Sequence, residues 1–80
     1  MSKEDAVKRL NHLISMYLRV PEGEQQADDV IVSDLAADWR IIDLGIAVET
    51  ELGIPMSADK ALSLKSVGDW RNLVRDSSDD

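Results

Sequence analysis

Few residues in this chain have side chains that could act in catalysis or bind a metal. His12 is the only histidine and there is no cysteine, so disulfides and cysteine-based zinc sites are excluded. No nucleophile, base and orienting group occur together in the pattern, and His12 has no partner at the spacing of metal ligands. We therefore expect no catalytic residues and no metal site. His12 is expected to have a structural role, exposed or half-buried.

The charge balance of the chain narrows the choice of partners. Its formal net charge is −7, with 16 Asp and Glu residues against 9 Lys and Arg. Nucleic acids and anionic membranes require a basic surface, so we expect neither as a partner, and basic protein surfaces are the natural complement. No apolar run approaches the roughly 20 residues of a membrane span, and the N-terminus lacks the apolar region of a signal peptide. We expect a soluble, cytoplasmic monomer.

The elements that would position functional side chains are helical, because apolar residues recur every three or four positions. A first helix is predicted over about residues 3–18, opened by Ser2 and Asp5 in the pattern of a capping box. Pro21 and Gly23 are expected to end it, ahead of an acidic loop. Three apolar residues of that loop are expected to reach the core, with one short turn: Val30, Val32 and Leu35.

The second half of the chain predicts three more helices. Asp38 is expected as the N-cap of the second helix, which runs to Leu52 and ends at Gly53. A short third helix follows Ser57. The last helix begins at Ser66 in a second capping-box pattern.

The apolar stripes of these helices can be buried only against one another. The predicted fold is therefore all-α, a small bundle of three to four helices with a long first loop. Residues 1–76 form the predicted domain, and 77–80 an acidic, disordered tail.

The most informative segment is "DLAADWRIIDLGIAVETELGI", residues 34–54. With the helix order above, it resembles the second helix and following turn of the acyl carrier protein family, and the resemblance covers roughly residues 3–75. In that family the second helix opens with Asp-Ser-Leu. The serine hydroxyl is esterified by 4′-phosphopantetheine, whose thiol holds an acyl or peptidyl chain as a thioester.

The chain departs from the family at that serine. An ungapped alignment places Asp38 at the serine position, with Ala37 at the motif Asp and Trp39 at the motif Leu. A one-residue deletion places Trp39 there instead. Neither side chain can form a stable phosphodiester, so no cofactor is expected. The nearest hydroxyl, Ser33, lies five residues before Asp38, and it is either a loop residue or a cryptic attachment site.

A second departure concerns the enzyme that installs the arm. In the family, an acidic residue two positions after the serine helps to dock the transferase, and here Arg40 occupies that position. The resemblance therefore implies release from modification. The alternative is a divergent or engineered carrier whose serine has been replaced.

The resemblance also implies a partner-binding face on the second helix. Trp39, Ile42 and Ile46 lie at i, i+3 and i+7 and form one apolar stripe, flanked by the acids Asp43 and Glu49. Arg40 is placed on the same face. A separate stripe suits the core: Ile41, Leu44, Val48 and Leu52. The alternative is that both stripes are buried and the acids are only solvated.

Three functions are compatible with these residues. The first is a carrier-like module that docks through its second helix on the basic surfaces of fatty acid, polyketide or peptide synthesis enzymes. The second is a working carrier with an unusual attachment site. The third is a small acidic protein in which the carrier pattern is accidental. Asp38 is interpreted mainly as a cap, and alternatively as a fixed charge in place of the carrier phosphate.

Overall fold

The computed structural model describes residues 2–20 and 27–77. Within these ranges the chain forms four α-helices, one 3-10 helix and no β-strand. Their bounds are α1 (Lys3–Leu18), the 3-10 helix Val32–Asp34, α2 (Asp38–Leu52), α3 (Ala58–Ser63) and α4 (Val67–Ser77). The predicted all-α class is confirmed, together with the short turn in the first loop.

The first helix has the bounds that the sequence predicts. Ser2 is the N-cap, and its hydroxyl accepts a hydrogen bond from the Asp5 backbone N–H at 3.2 Å. The helix ends in Arg19, which has a φ of 57° and therefore a left-handed conformation. Pro21 and Gly23, the predicted stop, lie outside the described residues. Arg19 as the C-cap was not predicted.

The core lies between α1, α2 and α4, with α3 packed on α2. Its largest fully buried side chains include Trp70, Leu10 and Leu44. Three residues of the predicted core stripe on α2 are buried, and the fourth, Leu52, is half-buried. The inward face of α2 is therefore the one that the sequence assigned to the core.

The end of the first loop is fixed to the start of α4 by backbone hydrogen bonds. Gly68 N–H donates to the Asp28 carbonyl at 2.9 Å, and Val32 N–H donates to the Lys65 carbonyl at 2.9 Å. A Cβ atom at Gly68 would lie 2.8 Å from the Cβ of Asp28, so only glycine permits this approach. Val32 is buried, as predicted. These contacts fix the position of the loop just before the start of α2.

An ion pair joins the same loop to two helices. Arg71 Nη1 donates to Asp28 Oδ1 at 2.7 Å, and Arg71 Nε donates to Asn11 Oδ1 at 3.2 Å. The Arg71 side chain is only 12% exposed. Arg71 therefore links α4, α1 and the loop that precedes α2.

The prediction that Asp38 is the N-cap of α2 is wrong. Ala37 has the extended backbone of an N-cap, with φ −70° and ψ 159°, and its carbonyl accepts from Arg40 N–H at 3.0 Å. Asp38 is the first helical residue. Its carboxylate still lies in the first turn, where the helix dipole favours negative charge. Ala37 makes no side-chain cap hydrogen bond at this helix start.

The predicted capping box is present at α4, and α3 has a serine cap that was not predicted. The Ser57 hydroxyl accepts from Lys60 N–H at 3.1 Å at the start of α3. At α4, the Ser66 hydroxyl accepts from Asp69 N–H at 3.1 Å and Asp69 Oδ2 accepts from Ser66 N–H at 3.2 Å. Gly53 ends α2 with a φ of 69°.

The last helix reaches Ser77, one residue into the predicted tail. The remaining residues, 78–80, lie outside the described ranges. The described helices include none that is long and apolar enough to cross a membrane.

Candidate functional site

The outward face of α2 contains two large apolar side chains that are exposed to solvent. Trp39 is 58% exposed and Ile46 is 55% exposed, whereas Ile42 between them is half-buried. These residues are separated by about one and two helical turns, so they lie on one face of the helix. Among the described residues, only Met16 and Ile31 are other large apolar side chains with comparable exposure. Two of the three residues of the predicted stripe are therefore exposed.

Three acids accompany these apolar side chains along α2. Asp38 and Glu49 are exposed, and Asp43 is half-buried. Asp43 lies four residues after Trp39, and Glu49 lies three residues after Ile46, so both acids are neighbours of the apolar side chains on the helix surface. The face therefore combines an apolar centre with negative charge, a composition that suits a partner with basic groups around an apolar contact.

The first turn of α2 reads Asp38, Trp39 and Arg40, and no hydroxyl occurs in it. Both positions that the alignments offer for a modified serine lie in this turn. A carboxylate and an indole provide no oxygen nucleophile that forms a stable phosphodiester. The side chains at this helix start are therefore a carboxylate, an indole and a guanidinium.

Arg40 makes two contacts that the sequence did not predict. Its Nη1 donates to the Tyr17 backbone carbonyl at 3.5 Å, and its guanidinium carbon lies 4.7 Å from the centroid of the Trp39 ring. A cation within about 6 Å of an aromatic centroid is attracted by the ring. The contact with Tyr17 spans 23 residues, and no local pattern indicates it.

A cavity of about 250 Å³ lies beside the start of α2, between the 3-10 helix and the segment after α3. Its lining has an apolar part and a polar part: Val32, Ile41, Leu62 and Leu64, with Ser33, Asp38 and Lys65. Ser33 is exposed. The structure thus brings the nearest hydroxyl, Ser33, to the same cavity as Asp38, although the two residues are five positions apart in the chain.

His12 is exposed on α1, within the range that the sequence predicted for it. It borders a shallow depression together with Arg9 and Glu51. Across residues 2–20 and 27–77, no group of three or more His, Cys, Asp or Glu side chains is arranged to hold a metal ion.

The described helices form a small all-α bundle with a long first connection and an exposed apolar face on α2. The chain is 29% identical over 75 residues to the acyl carrier protein of Petrotoga mobilis (strain DSM 10674 / SJ95), across 92% of this chain and 88% of that protein. No family model matches the chain. No solved structure matches it significantly. The chain is therefore similar over most of its length to an acyl carrier protein, which confirms the resemblance that its sequence predicts.

Proposed function

We propose that this chain is an acyl-carrier-like domain that docks on biosynthetic enzymes through the outward face of α2 and has no phosphopantetheine arm. The observation on which the proposal rests is the first turn of α2, where Asp38, Trp39 and Arg40 stand in place of a modifiable serine. The loss of the hydroxyl removes the attachment chemistry, whereas the exposed Trp39 and Ile46 keep an apolar contact surface. The domain is then a non-enzymatic regulator or scaffold in fatty acid, polyketide or peptide synthesis.

The charge of this face indicates the chemistry of the partner. The acids Asp43 and Glu49 lie beside the apolar side chains, and the chain as a whole has a net charge of −7. A basic rim around an apolar pocket on the partner enzyme complements both features, because opposite charges accelerate association and aromatic side chains provide most of the affinity. We propose that a monomer of this chain binds such a surface.

Mass spectrometry tests whether a phosphopantetheine arm can be attached to the protein. The purified protein, incubated with coenzyme A and a promiscuous phosphopantetheinyl transferase, is expected to keep its mass. The matched control is the triple variant Ala37→Asp, Asp38→Ser and Arg40→Asp, which restores the motif and the acid that docks the transferase. We expect this variant to gain one arm, which shows that the assay works on this fold.

One observation favours the second candidate function, a working carrier with an unusual attachment site. Ser33 is exposed and borders the same cavity as Asp38. If the unaltered protein gains an arm and Ser33→Ala abolishes that gain, attachment is at Ser33 and the first proposal is wrong.

The docking face is tested against a partner enzyme recovered by cross-linking from the native cell. Trp39→Ala is expected to weaken binding by about 2 kcal/mol or more, since exposed aromatic side chains at interface centres act as hot spots. Met16→Ala is the matched control, because Met16 is 57% exposed and lies on α1. Changing Asp43 and Glu49 to Lys should slow association and flatten its salt dependence. Equal losses for Trp39→Ala and Met16→Ala in calorimetric titrations would contradict the assignment of this face.

A further inference from the structure

We infer that Arg40 is a positioning residue that holds the Trp39 indole in a fixed orientation for docking. The guanidinium carbon lies 4.7 Å from the ring centroid of Trp39, and Nη1 reaches the Tyr17 carbonyl at 3.5 Å. Arg40 itself is half-buried, whereas Trp39 is 58% exposed. One side chain thus joins an exposed aromatic ring to the packed end of another helix.

The end of α1 explains why an arginine is held there. Tyr17 belongs to the last turn of α1, whose final four carbonyls have no partner within the helix. These carbonyls form the negative end of the helix dipole, and the last turn of α1 has no basic residue. Arg40, in the first turn of α2, adds a positive charge at this end of α1, beside the C-cap residue Arg19. Because the guanidinium is planar and has several N–H donors, it can lie on the ring while it donates to the carbonyl.

This arrangement has a consequence for docking, and in that respect the inference rests on the proposed function. A free surface tryptophan loses rotamer entropy when a partner immobilises it, and this loss weakens binding. If Arg40 restrains the ring beforehand, part of that cost is met during folding. The partner surface that fits a pre-ordered ring is an apolar slot on the partner enzyme. This slot lies within the basic surface that complements Asp43 and Glu49.

Fluorine NMR of protein labelled with fluorotryptophan measures the restraint without any partner. The chain has two tryptophans, so two resonances are expected, and Trp39→Phe assigns them. Arg40→Gln removes the charge while it keeps most of the side-chain length. We expect the Trp39 resonance to shift by more than its linewidth and to show faster ring motion in relaxation measurements, while the Trp70 resonance stays in place.

Two further variants separate this role from a general effect of charge or stability. Arg75→Gln makes the same charge change on an exposed residue of α4 and should leave both resonances unchanged. Arg40→Lys keeps the charge without the planar stack and should restore the Trp39 resonance only in part.

The inference is overturned by an unchanged Trp39 resonance in Arg40→Gln, because the ring is then ordered without Arg40. If Arg40→Gln also shifts the Trp70 resonance, the Arg40→Lys variant decides the question. Full recovery of the wild-type Trp39 resonance in Arg40→Lys would show that charge alone matters, and it would overturn the role of the guanidinium contact with the ring. Partial recovery would support it. If the wild-type protein does not dock on an enzyme although its Trp39 ring is restrained, the proposed function is wrong and this inference still holds.

Discussion

The two tryptophans of the chain both lie in the N-terminal turns of helices, in opposite environments. Trp70, in α4, is fully buried, and its indole Nε1 has no hydrogen-bond partner among the described residues. Trp39, in α2, is 58% exposed and is contacted by Arg40. The same residue type thus serves packing at one helix start and surface presentation at the other.

The starts of α4 and α2 also differ in the hydrogen bonds that stabilise them. α4 begins with the reciprocal bonds between Ser66 and Asp69, and the end of the first loop is hydrogen-bonded to its first residues. α2 begins at Ala37, which has no side chain that could cap the helix. Local stability is concentrated at α4. The start of α2 is held instead by a tertiary contact, from Arg40 to the end of α1.

The largest expected effect comes from truncating each tryptophan. Trp70→Ala should cost about 3–5 kcal/mol of unfolding free energy, because it leaves a cavity in the core. The free energy of unfolding of a domain this small is only roughly 5 kcal/mol. If the loss lies at the upper end of the expected range, this variant should be mostly unfolded. Trp39→Ala should change the unfolding free energy by less than about 1 kcal/mol, the size of an exposed cation–π contact.

Urea titrations followed by far-ultraviolet circular dichroism measure both tryptophan variants without relying on tryptophan fluorescence. Comparable losses in the two variants would mean that Trp39 is a core residue. The contrast between the two helix starts would then be wrong.

A smaller contrast is expected between the two faces of α2. Leu44 is fully buried and Ile46, two residues later, is 55% exposed. Leu44→Ala should cost about 2–5 kcal/mol as a core truncation, whereas Ile46→Ala should stay within about 0.5 kcal/mol as a surface change. Thermal and urea unfolding of the pair give the comparison directly. A loss above 2 kcal/mol for Ile46→Ala would show that the outward face is packed in solution.

The smallest expected effect concerns the helix caps. Ser66→Ala should destabilise the domain by about 1 kcal/mol, because the Asp69 N–H loses its acceptor. Ala37→Ser should stabilise it by a few tenths to about 1 kcal/mol, because the backbone at Ala37 already has the extended conformation of an N-cap. Differences in urea midpoint resolve both changes. If Ala37→Ser has no effect, the first N–H groups of α2 are already satisfied by other means.

Most of the fold could be predicted from the sequence because its cues are local. Ser2 and Ser66 open helices where the capping patterns indicate, the short third helix follows Ser57 as predicted, and Gly53 ends α2 with a positive φ. The failure at Asp38 has a clear reason. Cap propensity ranks Asp above Ala, but the N-cap is the residue whose backbone is still extended when the helix begins, and the path of the loop places Ala37 there.

The candidate site could be predicted only in part. Helical periodicity separated two apolar stripes on α2, and the structure buries one of them while it leaves Trp39 and Ile46 exposed. Periodicity did not indicate that Ile42 is half-buried, because its environment depends on neighbouring elements. The pairing of Arg40 with Tyr17 was missed for the same reason, since it joins residues from different helices.

The sequence by itself determined the helix order, most of the caps, the absence of a hydroxyl in the first turn of α2 and the likeness to acyl carrier proteins. These properties depend on residue identity and on interactions within about one helical turn, so they can be read along the chain. Only the tertiary structure decided which tryptophan is buried, which face of α2 meets solvent, and that Ser33 shares a cavity with Asp38. Those outcomes depend on how the helices pack, because burial and long-range contacts are set by neighbours that the local pattern does not specify.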